Sequence, residues 1–185
     1  LWLPLLWPPR PIPPPGTVDI IQWDVGQGLS VLVQTRNHAL LYDAGPAPPR
    51  GLDAGEAVVL PALRALGVGR LDALVLSHGD NDHAGGEAAV RAGLPVARVL
   101  APRGWAHGDM APCLAGERWQ WDGVDFQWLH PPLHLPYLGN DSGCVLRIRS
   151  AGATALLPGD VGRHVEAGLI RRGAIGSDLL LVPHH

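Results

Sequence analysis

The sequence predicts a mixed α/β domain of the α+β kind, with two sheets face to face and helices outside them in four αββα layers. Strand-like runs gather toward both ends of the chain, and each group is followed by a stretch that is apolar at helical spacing. The 24 glycines and 19 prolines punctuate apolar runs without forming repeats, as turns and loops do in a globular chain. At 185 residues and 46% hydrophobic, the chain is long enough for one domain, or two small ones, with a real core.

Residues 1–16 stand apart from this pattern. A short Leu/Trp run joins a proline-rich stretch expected to be extended polyproline II. The run is too short to cross a bilayer, and it has neither the charged start nor the small-residue cleavage site of a signal peptide. Trp2 and Trp7 suit a membrane interface, so these residues are expected to form a membrane-proximal stub and linker; a frayed terminus is the alternative. The globular domain is then 17–185.

Two β-rich runs, VDIIQWDV and LSVLVQT, are joined by Gly26-Gln27-Gly28, which reads as a tight hairpin turn, and HALLYDAG supplies a third strand. Helical spacing over 56–66 is closed by Gly67, and the continuous apolar run 71–77 is of the buried-strand type. A helix over 86–92 and a strand over 98–101 follow, then a hairpin over 119–129 turning at Asp122-Gly123. Strands at 144–149, 154–157 and 178–182 and a helix at 163–171 complete the second half.

The chemistry concentrates where the 71–77 strand ends. Ser77-His78-Gly79-Asp80-Asn81-Asp82-His83-Ala84-Gly85-Gly86 places His78, Asp80, Asp82 and His83 within six residues. Spacings of two, two and one share no face of a helix or strand, so a loop is needed to aim all four at one point. Gly85 and Gly86 let the backbone turn closely around an ion. A polar turn capping the next helix, with Asp82 as N-cap, would have no need of two histidines. Three further segments can supply ligands: Asn140-Asp141-Ser142, Asp160 where an apolar strand ends in a turn, and His184-His185 after the strand LLLV.

The formal net charge is −3 and all 14 basic residues are arginines, so no broadly basic nucleic-acid-binding face is evident. A phosphate-bearing substrate would depend on local arginines and on bound metal. Cys113 and Cys144, 31 residues apart, are not spaced as a zinc knuckle or redox pair and are expected as buried thiols, with a disulfide as the alternative. His38, His107, His130, His134 and His164 fit no ligand spacing, and the seven tryptophans suit packing, although Trp105 could stack on a base if its loop lay near the site.

Taken in order, these motifs resemble the metallo-β-lactamase superfamily, whose signature is an HxHxDH loop, a further histidine, an aspartate after a strand and a final histidine. The resemblance covers about 18–185. The chain more closely resembles the C-terminal hydrolase domain of ComEC-type DNA-uptake competence proteins. Asp24-Val25-Gly26-Gln27-Gly28, Tyr42-Asp43-Ala44-Gly45, His78-x-Asp80-x-Asp82-His83-x-Gly85-Gly86, Asn140-Asp141-Ser142, Pro158-Gly159-Asp160 and His184-His185 follow that family's run. The family's last motif usually continues into Gly-Ser, so the domain is expected to extend beyond His185. Asp80 stands where the superfamily has a second histidine, and Asn140 or Asp141 where it has the next.

The resemblance implies an αββα metallo-β-lactamase sandwich and a metal-dependent hydrolase, a nuclease that degrades the non-transported strand during DNA uptake. One or two divalent ions would be held by His78, Asp80, Asp82, His83, Asp160 and His184 or His185, with Asn140 or Asp141 as a further ligand. Oxygen donors in place of imidazoles favour manganese, with magnesium or zinc as alternatives. Asp160 would bridge two ions, Asp80 or Asp82 would orient or deprotonate the attacking water, and Asp24 and Asp43 would either steady the ligating histidines or simply form turns. No small organic cofactor is expected. The partners are DNA and a parent inner-membrane channel, with this domain on the periplasmic face. A hydrolase of a small ester, lactone or thioester, and a non-catalytic domain that guides DNA, are the competing readings.

Overall fold

The computed structural model describes residues 12–173 and 175–183, so most of the 1–16 stub and both His184 and His185 lie outside the described residues. Among the described residues, eleven strands form two sheets. The first runs β1 (Asp19–Gln22), β2 (Val31–Gln34), β3 (Ala39–Tyr42), β4 (Ala73–Val75), β5 (Val99–Pro102) and β6 (Ala111–Cys113) in spatial order. It is antiparallel through β3 and parallel from there to β6. The second has the order β11 (Leu179–Leu180), β10 (Thr154–Leu157), β9 (Val145–Arg149), β8 (Val124–His130) and β7 (Arg118–Trp121), antiparallel apart from the β10–β11 pair.

Side-chain alternation along these strands creates the layers. Val31, Val33, Leu40, Tyr42, Ala73 and Val75 of the first sheet meet Phe126, Trp128, Leu146 and Ile148 of the second in the central core. The intervening residues Leu32, Leu41 and Leu74 face the other way, onto α1 (Leu60–Ala65) and α3 (Glu87–Gly93) through Leu60, Leu63 and Val90. On the far side, Leu129, Val145 and Leu156 pack under Val165 and Leu169 of α4 (Arg163–Arg171). Three apolar seams therefore separate four layers, and the αββα sandwich expected from the sequence is the fold observed.

Several details differ from the sequence reading. Eight residues separate β1 from β2, so Gly26-Gln27-Gly28 is no tight hairpin but part of a long loop. The helix expected over 56–66 is entered through a π turn, Gly55–Val59, and Pro61, which has no N–H to return to that turn, sits at the start of α1. Strand β6 was not anticipated. It is three residues long and contains Pro112, which an edge strand tolerates. Cys113 and Cys144 are not free thiols: they form a disulfide that ties β6 of the first sheet to the start of β9 in the second.

Candidate metal centre

The parallel strands β3 and β4 end side by side, and the site is built on the turns that leave them. Asp43, directly after β3, is fully buried in a left-handed backbone conformation with φ 62°, which Asp tolerates better than most residues. Its Oδ1 accepts the Ser77 N–H at 2.6 Å and its Oδ2 accepts the Ser77 hydroxyl at 2.7 Å. The same Oδ2 lies 2.8 Å from Nδ1 of His83, which fixes the ring so that Nε2 points into the site. There Nε2 lies 3.2 Å from Asp160 Oδ2 and 3.9 Å from Asp82 Oδ2.

The loop after β4 folds into a single turn, α2 (Asn81–Ala84), with Asp82 in its first residues and His83 in its last. Asp80, not Asp82, occupies the N-cap position, and its side chain makes no capping bond; it is 57% exposed, leaving the carboxylate directed at solvent and at His78. The backbone holds this turn from both sides. Leu29 N–H donates to Asp82 C=O, Ala44 N–H to His83 C=O and Gly86 N–H to Gly45 C=O, at 3.1, 2.8 and 3.0 Å. Gly28, at φ 147°, lies so close to the Asp82 carbonyl that any Cβ there would collide with it. That contact explains the glycine that the sequence reading assigned to a tight turn.

His78, 1% exposed, has Nδ1 at 3.0 Å from the Ser77 hydroxyl, while its buried Nε2 has no hydrogen-bond partner and lies 3.5 Å from Asp80 Oδ2. A buried acceptor left without a donor is costly unless something else occupies it. Ligand atoms of His78, Asp82 and His83 all lie within 4.8 Å of one another. Two imidazole nitrogens and carboxylate oxygens converging at that spacing fit a divalent cation.

The charges agree. Burial pulls His83 down, but its bonds to Asp160 and Asp43 and their charges outweigh that and push its pKa up to about 10. Burial and the neighbouring His83 push His78 down. In metal-free protein the His83 imidazolium therefore adds stability that is complete below its ordinary pKa of 6.5 and is lost as pH climbs through about 10. Coordination requires a neutral Nε2, so metal uptake at pH 7 is expected to release on the order of one proton. Calorimetry in buffers of different ionisation enthalpy reads that number, and a heat independent of buffer would mean that His83 is already neutral.

A cleft of about 620 Å³ opens beside this centre, lined by Asp80, Asn140, Asp141, Asp160, Arg163 and Glu166. Asp141 Oδ1 accepts the Gly162 N–H at 2.9 Å, joining the 140s loop to the start of α4, and the Asp141 carbonyl lies 2.9 Å from Nε2 of His130. Asn140 and Asp141 thus sit on the cleft wall. Asp24 is exposed and its Oδ1 accepts the Gly26 N–H at 3.0 Å, the turn-forming alternative, whereas Asp43 touches His83.

Three residues at the site have no role assigned by the sequence. Ser77 bridges Asp43 to the two histidines; its only signal was a polar residue closing an apolar strand, where a buried hydroxyl must find a partner. Tyr42 is buried and donates its hydroxyl to the carbonyls of Cys144 and Leu157, while Ser77 C=O accepts the Cys144 N–H, so the second sheet is bonded directly to the site's floor. Tyr137 accepts the Gly79 N–H at 2.9 Å, and the Trp105 indole packs on Gly79 from the side, so Trp105 does lie against the ligand loop.

An αββα sandwich with a buried His/Asp cluster at the strand ends defines a metallohydrolase scaffold, and a family model of the metallo-beta-lactamase superfamily matches residues 23–185. The chain belongs to that superfamily. It is 40% identical over 93% of its length to Competence protein ComA of Neisseria gonorrhoeae, of which it spans 24%. It is also 31% identical to the Hydroxyacylglutathione hydrolase of Aeromonas hydrophila, over 83% of this chain and 59% of that one. Among solved structures, the metallo-β-lactamase MIM-1 from Novosphingobium pentaromativorans superposes with a TM-score of 0.63 at 19% identity, covering 94% of this chain and 77% of that one. The chain thus spans about a quarter of the length of the competence relative, consistent with the ComEC-type resemblance of its motifs. Among the described residues, no helix is long and apolar enough to cross a membrane.

Proposed function

We propose that this chain is a divalent-metal-dependent phosphodiesterase that cuts a DNA strand as part of a larger DNA-uptake protein. The observation that carries the reading is the donor set: two buried imidazoles among Asp80, Asp82 and Asp160, an oxygen-rich site suited to manganese or magnesium. His78, Asp80, Asp82, His83 and Asp160 would hold the metal, with His184 or His185, which lie outside the described residues, as the expected further ligand. When bound, a divalent ion supplies Lewis acidity toward a phosphate oxygen and toward a water molecule.

The chain's own residues do the rest. Asp43 fixes His83, and Ser77 holds Asp43 in place. Asp80, exposed at the cleft, is the carboxylate best placed to take a proton from water and pass it to solvent. The cleft wall carries Asp80, Asp141, Asp160 and Glu166 against Arg163. That field repels a phosphodiester until divalent charge neutralises it, which favours two ions over one. The disulfide supports a domain on the oxidising, periplasmic side of the inner membrane, and the relative named as a competence protein supports DNA as substrate.

A thioester hydrolase is the second reading, favoured by the relative named hydroxyacylglutathione hydrolase. End-labelled single- and double-stranded DNA, offered in manganese, magnesium and zinc beside a glutathione thioester, separates the two. Manganese-dependent DNA cleavage that disappears in Asp82→Ala is expected. Thioester turnover by a folded protein that cuts no DNA would sink the proposal.

A further inference from the structure

The outer face of the second sheet is divided. Its end nearest the cleft is covered by α4 over Leu129, Val145 and Leu156. Farther along, Phe126 and Ile148 face the central core, so Gln127, Arg147 and Arg149 alternate outward. Register aligns Arg118, Gln127 and Arg147 in one row across β7, β8 and β9, and sets Arg149 opposite Asp125 in the next. A hollow of about 150 Å³ lies among these side chains.

Arg147 is half-buried and donates to Gln127, while Arg118 and Arg149 are exposed. Asp125 is the one carboxylate lining the hollow among the described residues, and its Oδ1 accepts from Gln120 at 3.0 Å. Neither Arg118 nor Arg149 has an ion-pair partner among the described residues. Burial, and then the charges of Arg149 and Arg118, push the Arg147 guanidinium down, as neighbouring positive charges do. Such a cluster, on a chain whose formal net charge is −3, is built to receive an anion.

We propose that Arg118, Arg147 and Arg149 dock the phosphodiester backbone of a nucleic-acid strand on the outer face of the second sheet, away from the cleft. This rests on the phosphodiesterase reading, because that reading brings a polymer of evenly spaced single charges to the protein. Strand geometry sets Arg118 and Arg147 roughly 10 Å apart at Cα and Arg147 and Arg149 roughly 7 Å apart, a span that successive phosphates of one strand cover. Guanidinium groups pair with phosphate oxygens two at a time and hold a backbone irrespective of sequence.

The test is fluorescence anisotropy of a labelled oligothymidine in chelator, titrated with salt, for the chain and for Arg118→Gln/Arg149→Gln. Losing two phosphate contacts is expected to make the slope of log K against log salt shallower by about 1.4, with affinity down several-fold at 0.1 M salt. Arg118→Lys/Arg149→Lys is expected to keep the slope, which separates charge from misfolding. Metal-dependent hydrolysis of bis(4-nitrophenyl) phosphate is expected to be unchanged in both. An unaltered slope in the glutamine variant overturns the proposal, as does binding of polyglutamate but not of DNA, which would assign the row to an acidic protein. Arginine-dependent DNA binding without any DNA cleavage would keep the docking site and discard the phosphodiesterase reading.

Discussion

Asp43→Ala is expected to lower the stability of the metal-free protein by about 3–5 kcal/mol, as removing one partner of a buried ion pair does. The carboxylate is fully buried and receives three groups: the Ser77 N–H, the Ser77 hydroxyl and Nδ1 of His83. Alanine leaves all three without it, and it also tolerates the φ of 62° less well than Asp. His83 keeps Asp160, which sets the figure toward the lower end of the range. Metal affinity is expected to fall about 10–100-fold, because the ring that presents Nε2 is no longer fixed. Asp43→Asn keeps the backbone conformation and one acceptor but loses the charge, so it is expected to lose less stability than alanine yet still bind metal weakly. Chemical denaturation with and without metal reads both effects; an Asn variant with unchanged metal affinity would remove Asp43 from the site's support.

Breaking the Cys113–Cys144 bond is expected to cost about 3–4 kcal/mol, the loop-closure value for its span of 31 residues. For a chain of 185 residues that corresponds to a fall in Tm of about 10 °C. Both sulfurs are fully buried and join the two sheets, and the backbone of Cys144 is bonded to Ser77 and Tyr42, so loosening should reach the metal centre as well. Melting in denaturing-scan calorimetry with and without reductant, beside Cys113→Ala/Cys144→Ala, measures it. A melting point unmoved by complete reduction would show that sheet packing alone holds the sandwich.

The layered fold was legible because both sheets obey simple alternation. LDALVLS and LSVLVQT are apolar along most of their length, and the structure sends successive strand side chains to opposite seams. The ligand loop was legible because two histidines and two aspartates in six residues have no ordinary structural use. What sequence spacing did not show were demands made by distant segments. Gly28 is required by the Asp82 carbonyl, not by a turn of its own. Ser77 matters because Asp43, thirty-four residues earlier, reaches it. The cysteines read as buried thiols because nothing local to either predicts that β6 and β9 come together; β6 itself is too short, and too interrupted by Pro112, to announce a strand.

His83 meets Asp43 across 40 residues of chain in one direction and Asp160 across 77 in the other. No local fragment contains that geometry, so the centre can exist only after both halves have collapsed onto each other, at the late and slow end of folding where distant pairings form. Metal uptake in a refolding experiment should then lag behind the burial of tryptophan and coincide with the last step. The ion would act as a reporter of completed assembly and, once captured, as a latch that draws the population toward the finished sandwich.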